Sequence, residues 1–517
     1  MNPIKNYAFG LFIFLCIPLL SPAQNKIVLN TDLGETIINK HIYGHFSEHL
    51  GRCIYGGLYA GEENKLVPHI NGMRTDVVEA LKNLNIPNLR WPGGCFADTY
   101  HWKDGIGPKE DRPTIVNTWW GNVTEDNSFG SHEFMELCRQ LGTEPYFSAN
   151  VGSGSVQEMS EWVQYMNFSG KSPMSDLRAE NGHEEPFKVK YWGIGNETWG
   201  CGGNMTAEYY ADLYKRYATY VNTSWDSKEK LFRIASGASD DDYHWTEVMM
   251  RDIPHKMLEG IGVHHYSVID WADKGSATEF DENMYFTTMS RAWDMERLVQ
   301  GHSTIMDKYD PEKKVAMMVD EWGGWYNVEP GTNGGFLYQQ NTMRDAMIAG
   351  MTLNIFNNHA DRVRMANIAQ VVNVLQAVIL TDEERIILTP TYHVMEMYKI
   401  HQDAVQIPVY LKTEDYVFGD KKLPAISASA SKDASGKVHV SVVNIDMNKS
   451  HKISLDMRGE NFKDVSGRIL SSPSIQDHNT FAKPNKITPK KFNGAKLINN
   501  KMDVVVPPFS VLVLELN

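Results

Sequence analysis

Short apolar runs alternate with amphipathic helical patterns from about residue 40 to about residue 400, and then the alternation stops. A brief apolar run followed by a helical period, repeated many times, is what βα units and a parallel sheet produce. The runs 42–48, 88–91, 144–149, 189–197, 233–239, 260–266, 315–321 and 353–359 read as strands. Between them, residues 73–84 place Val77, Val78, Leu81 and Leu84 on one helical face. A second helix carries Phe134, Leu137, Cys138 and Leu141, with Ser131 placed to cap it and Gly142 to close it. Eight strands with intervening helices predict an α/β fold, a (β/α)8 TIM barrel. The alternation alone also fits a doubly wound sheet.

Beyond about residue 405 the period changes from helical to two, as in Val438, Val440 and Val442 and again over 511–516, with Gly and Asn turns between. This predicts a C-terminal antiparallel β-sandwich. The leading run 26–29 is placed to pair with it. The domains expected are therefore a leader at 1–23, an N-terminal strand segment at 24–40 joining the sandwich, a barrel at 41–400 and a sandwich at 401–517.

The leader follows from Lys5, an apolar stretch at 8–20 and the small residues around Ser21-Pro22-Ala23. The stretch is short for a membrane span and reads as a cleaved secretion signal, so the expected protein is exported, periplasmic or secreted, with no membrane attachment after cleavage. A net charge of −14 without a long basic run excludes nucleic acid and anionic membranes as partners. Past the leader, Cys53, Cys95, Cys138 and Cys201 follow neither a CxxC nor a zinc spacing, and their pairing stays open.

A TIM barrel builds its site at the C-terminal ends of the strands. Strand four ends Gly195-Asn196-Glu197 and strand seven ends Asp320-Glu321-Trp322, each leaving a carboxylate at the rim after an apolar run. A single such Glu is often a structural ion pair. Two on strands four and seven are what a glycosidase of the retaining type needs, one to protonate the leaving oxygen and one to attack, roughly 5–5.5 Å apart. Strand one ends His45-Phe46-Ser47-Glu48-His49, strand two continues Arg90-Trp91-Pro92-Gly93-Gly94-Cys95, and strand six ends His264-His265-Tyr266. The two histidines point to opposite sides of a strand and make no metal pair. A helix after strand eight is expected to hold Asn367, Gln370 and Asn373. No HExxH, carboxylate cluster or phosphate loop is present, so neither metal nor cofactor is expected.

The stretches IYGHFSEHLGRCIYGG (42–57), LRWPGGCFAD (89–98), WGIGNE (192–197), VDEW (319–322) and NHADRVRMANIAQVVNVLQA (358–377) together resemble the family 51 α-L-arabinofuranosidases. That resemblance implies an exo-acting retaining hydrolase with Glu197 as acid/base and Glu321 as nucleophile. It implies that Glu48, Asn196, Tyr266 and Gln370 grip the arabinofuranose and that Arg90 shapes the same subsite. Cys95 falls at a sugar-contacting position where some members carry Asn, and cysteine is the weaker hydrogen-bonding partner. The implied partners are arabinose-containing plant polysaccharides or oligosaccharides, and members often form homo-oligomers. The rivals are another glycosidase of the same clan, an endoglucanase or β-xylosidase, and a non-catalytic carbohydrate-binding protein.

Overall fold

The structure, a computed structural model, describes residues 25–222 and 230–517. Eight parallel strands close into a barrel: β1 (Gly44–Phe46), β2 (Asn88–Trp91), β3 (Glu144–Ala149), β4 (Tyr191–Ile194), β5 (Phe232–Ser239), β6 (Gly260–Ser267), β7 (Ala316–Gly324) and β8 (Val363–Ala369). Strand β8 returns to β1, with Asn367 opposite Gly44 and Ala369 opposite Phe46. Closure rules out the doubly wound alternative, whose sheet would keep two free edges. Tyr146, Tyr191, Ile234, Ala316, Met318 and Met365 fill the barrel interior toward the N-terminal ends of the strands. The other end is left to polar side chains.

The expected eighth strand is a correction. Residues 353–359 run through the end of the helix Met343–Asn358, and the barrel closes on β8 further along the chain. This helix is buried on all sides because the sandwich covers what the barrel does not. Asn354 and Asn357 donate to the hydroxyls of Ser427 and Ser429 at 3.2 and 3.1 Å. A Cβ on Gly350 would come within 2.8 Å of Val443. A helix buried all round has no polar stripe, so its apolar run imitates a buried strand. Asn367, expected on a following helix, lies within β8, while Gln370 and Asn373 lie in the loop after it.

The helix Ser131–Leu141 starts one residue away from its expected cap. Gly130 takes that position and donates its N–H to Glu133 at 2.8 Å, while Ser131 Oγ accepts from Trp162 Nε1. Packing selects the glycine, since a Cβ there would lie 1.9 Å from the Gly105 carbonyl oxygen. Gly142 closes the helix at φ +71°.

The sandwich has a six-stranded and a four-stranded sheet. In the smaller one Asn25–Asn30 pairs antiparallel with Val409–Lys412 and parallel with His451–Arg458. The sandwich is thus antiparallel except along this one seam. The leading strand ties the start of the chain to the domain made by its end.

Candidate active site

Glu321 sits at the C-terminal end of the barrel because β7 carries an extra residue. Gly262 pairs with Met318 but His264 pairs with Glu321, so three steps on β7 match two on β6. Such a bulge re-aims side chains, and both Asp320 and Glu321 end up buried in the site. Arg90 Nη1 donates to Glu321 Oε1 and Tyr266 Oη donates to Oε2, both at 2.8 Å. Burial opposes the charge on Arg90, yet Asp320 and Glu321 outweigh it and raise its pKa. Arg90 Nη2 also donates to Asn196 Oδ1 at 2.6 Å, linking the ends of β2, β4 and β7.

Gly94 makes this approach possible. A Cβ there would lie 2.9 Å from Glu321 Oε1 and 3.4 Å from Asn196 Nδ2. Gly94→Ala is therefore expected to displace the carboxylate and lower kcat about 100-fold, the scale of a 1 Å misplacement. Steady-state kinetics on a variant with unchanged circular dichroism checks this; an unchanged kcat would show that the carboxylate has room to spare.

Glu197 follows β4 in a tight turn, with Gly195 at φ +85° and Glu197 itself at φ +41°. The turn is held by Asp98, which accepts from the Asn196 N–H at 3.2 Å and from Val151 and Gly152 at 2.9 Å. Burial pushes the Asp98 carboxyl up to about 7, against the pull of those three donors. His264 Nδ1 lies 2.9 Å from Glu197 Oε1, leaving Oε2 turned toward Cys201 Sγ at 3.6 Å. The Glu197 side chain is 19 % exposed against 7 % for Glu321, so Glu197 is the carboxylate with access to solvent. One oxygen of each lies within 4.8 Å of the other. Burial raises the Glu197 pKa; the His264 contact works against this and the nearby Glu321 charge adds to it.

Glu48 is buried beside them. Its Oε1 accepts from the backbone of Gly94 and Phe96 and from Trp120 Nε1 at 2.8 Å, and its Oε2 accepts from Gln370 Nε2 at 3.0 Å. Burial, then the Glu321 charge, pushes Glu48 up to about 7. Gln370 Oε1 is buried without a partner. The structure thus gathers Glu48, Arg90, Asn196, Glu197, Tyr266, Gln370 and Glu321 at one end of the barrel.

Cys95 requires a correction. Its sulfur is bonded to Cys201, with a Cα–Cα separation of 5.5 Å, so no thiol is left there to face a sugar. The bond joins the loops after β2 and β4, a pairing that a sequence separation of 106 residues gave no means of assigning. Asn367 and Asn373 are structural, donating to the carbonyls of His45 and Arg52. The His45 ring is buried with neither nitrogen hydrogen-bonded, and His49 bonds Glu125 and Trp91. His265 turns away from the carboxylates toward Asp240 and the Arg291 carbonyl. Among the described residues, Glu197, His264 and Glu321 bring one donor atom each within 4.8 Å of the others, a geometry that could hold a cation.

Asp320, Asp98 and Tyr146 escaped the sequence reading, and His264 entered it only as one of two strand-end histidines that make no metal pair. Asp320 Oδ2 accepts from Tyr146 Oη at 2.7 Å, and Asp320 lies 3.3 Å from His264 Nε2 and 3.8 Å from Arg90 Nε. It was hidden because a regular strand would send it to the face opposite Glu321. Burial disfavours the His264 charge, but Glu321, Asp320 and Glu197 together push its pKa up to about 10. Asp320→Asn is expected to lower that pKa by about 1–3, the effect of losing a neighbouring opposite charge. A histidine titration by nuclear magnetic resonance measures it, and an unmoved midpoint would remove Asp320 from the network.

Comparison with known proteins matches residues 80–284 to the α-L-arabinofuranosidase 1 domain and residues 320–510 to the α-L-arabinofuranosidase C-terminal domain. An intracellular exo-α-L-arabinofuranosidase of Bacteroides ovatus is 50% identical over 98% of each chain. The crystal structure of the GH51 arabinofuranosidase from Xanthomonas axonopodis pv. citri superposes with a TM-score of 0.94 at 47% identity, over 96% of this chain and 100% of that one. That of the α-L-arabinofuranosidase from Thermotoga maritima, an arabinose complex, gives 0.83 at 32% identity over 95% and 99%. The expectation of an exported protein is overturned here, because the Bacteroides ovatus relative, aligned nearly end to end, is described as intracellular. The apolar stretch 8–20 behind that expectation lies outside the described residues, and a short apolar run is a compositional signal that does not by itself establish a cleaved leader. Half its residues identical to those of a relative it spans almost entirely, and its whole barrel and sandwich superposable on solved members, this chain belongs to the glycoside hydrolase family 51 α-L-arabinofuranosidases.

Proposed function

We propose that the protein removes terminal α-L-arabinofuranosyl residues from arabinose-containing plant polysaccharides or oligosaccharides by double displacement, with Glu321 as nucleophile and Glu197 as acid/base. The observation that carries this is the pair of carboxylates with an oxygen of each within 4.8 Å of the other. Inverting enzymes keep their carboxyl groups about 6.5–9.5 Å apart to seat a water, whereas retaining ones need about 5–5.5 Å.

The different surroundings divide the roles. Both Glu321 oxygens are held by donors, Arg90 and Tyr266, which aim a carboxylate and leave it no proton to give. Glu197 is held on one oxygen only and keeps Oε2 for the proton that the leaving oxygen takes. As Glu321 bonds to the anomeric carbon, the glycosidic bond breaks and Glu197 protonates the departing oxygen. The Glu321 charge is then consumed, so Glu197 becomes the stronger acid and, once ionised, the base for the incoming water. Water attack on the anomeric carbon releases arabinose with its configuration retained and restores both carboxyl groups.

Three groups are free to hold the sugar. Asn196 Oδ1 is taken by Arg90, and its Nδ2, which reaches Cys201 Sγ at 3.8 Å, has a second hydrogen to donate to a hydroxyl. Gln370 Oε1, buried without a partner, is an acceptor that a sugar hydroxyl satisfies. Glu48 Oε2 has one partner and room for a second.

Hydrolysis of p-nitrophenyl α-L-arabinofuranoside, followed by proton magnetic resonance, tests the proposal. The α anomer of arabinose is expected first, with the β anomer growing in only by mutarotation. Initial release of the β anomer would overturn the retaining route. A folded protein that instead cleaves β-xylosides or β-glucans would support the clan rivals, and one that cleaves none of them the binding-protein rival.

A further inference from the structure

Cys201 Sγ lies 3.6 Å from Glu197 Oε2, and the atoms of Cys95, Cys201 and Glu197 that could bind a metal all lie within 4.8 Å of one another. While the sulfurs are joined they offer no thiolate. Reduction turns the pair into two thiols, each able to ligate a metal as a thiolate. In a tetrahedral zinc site, bonds of about 2.3 Å to sulfur and about 2.0–2.2 Å to oxygen set sulfur and oxygen about 3.5 Å apart. The Cys201–Glu197 edge already has that length. The two sulfurs must separate to about 3.8 Å in the same geometry, and the Cys95–Glu197 edge, within 4.8 Å, must settle at about 3.5 Å.

We propose that, once the Cys95–Cys201 bond is reduced, the two thiolates and the Glu197 carboxylate form a binding site for a soft divalent metal ion of the zinc type, whose occupation silences the enzyme. Two thiolates favour such an ion over magnesium or calcium. Three protein ligands leave a fourth position for water. The ion takes the carboxylate that would otherwise protonate the leaving oxygen, so binding and turnover exclude each other; this last step rests on the role proposed for Glu197. The other described cysteines do not compete. Cys53 and Cys138 are buried, and burial raises both thiol pKa values, that of Cys53 to about 12. In a reducing compartment, where disulfides are rare, the pair would exist as the dithiol.

The test uses the full chain reduced with a water-soluble phosphine. The phosphine takes an oxygen atom from water and becomes its oxide, and the disulfide takes the two electrons and two protons to become two thiols. Cadmium is then added after the phosphine is removed, and the thiols give up their two protons to the buffer as the ion binds. The expected result is an ultraviolet cadmium–thiolate charge-transfer band that saturates at one ion per chain, with hydrolysis lost in proportion and restored by a chelator. Neither change is expected in unreduced protein or in reduced Cys201→Ser. The absorption band reports binding whether or not Glu197 is the acid/base, so a band without loss of hydrolysis would sink only the Glu197 role and the silencing. The site itself is overturned by absence of the band, by a band in reduced Cys201→Ser, or by failure of the pair to reduce in the folded protein.

Discussion

Glu321→Ala is expected to lower kcat on p-nitrophenyl α-L-arabinofuranoside by at least about 10⁴-fold, the scale on which removal of a nucleophile acts. The substitution removes the proposed nucleophile, and it also deprives Arg90 Nη1 and Tyr266 Oη of their carboxylate partner and leaves a void beside them. Arg90 keeps the Asp320 carbonyl and Asn196 as partners, so the barrel is expected to fold, with a lower melting temperature because a buried guanidinium has lost one of its two counter-charges, Asp320 being the other. Azide is small enough to occupy the void. It should attack from the face that Glu321 used and give the glycosyl azide of inverted configuration. Glu321→Gln separates the two effects, since it keeps the volume and loses the nucleophile. Activity within tenfold of wild type in either variant, with contamination excluded by active-site titration, would remove Glu321 from the reaction.

Glu197→Gln is expected to act through the leaving group. A sugar alcohol needs the proton, so kcat/KM on arabino-oligosaccharides should fall by about 10²–10⁴, the usual worth of general acid catalysis. A dinitrophenyl group leaves without help, so its first step should be nearly spared while the second step, now without a base, stalls. Pre-steady-state release of dinitrophenol should therefore show a burst, and intact-mass measurement should find the arabinosyl-enzyme. The pH dependence carries the same signature. The reactive Glu197 is protonated and its pKa lies above the ordinary value of about 4.3, so wild-type kcat/KM should fall as pH rises through that raised value. For the dinitrophenyl substrate the alkaline limb should vanish in Glu197→Gln. An equal loss on both leaving groups, with the limb kept, would assign the proton to another residue.

Much of this site is legible along the chain because a βα barrel converts position in a strand into position in space. Carboxylates that follow apolar runs on strands four and seven must meet at one rim, whatever the details of packing. The network behind them is not legible in that way. Asp320 continues the inward period of Ala316 and Met318, and Glu321 faces the same interior only because β7 carries a bulge, which is set by pairing with β6. Asp98 acts through the backbone of Asn196, Val151 and Gly152, a partnership between the loops after β2, β3 and β4 that has no local signature. The Cys95–Cys201 bond belongs to the same class.

The helix Met343–Asn358 marks the boundary most clearly. Periodicity reports the contrast between a face that is wet and one that is dry, and this helix has no wet face once the sandwich lies on it. Its residues 353–359 were therefore indistinguishable from a buried strand, and the real β8, broken by Arg364 and Asn367, went unseen. Fold class, the two carboxylates and the family motifs depend on residue type and short-range spacing, which the chain carries in itself. The bulge, the disulfide, the cap at Gly130 and the burial that raises Glu48, Asp98 and Glu197 depend on which segments touch, and that contact exists only after the barrel has closed and the sandwich has packed against it.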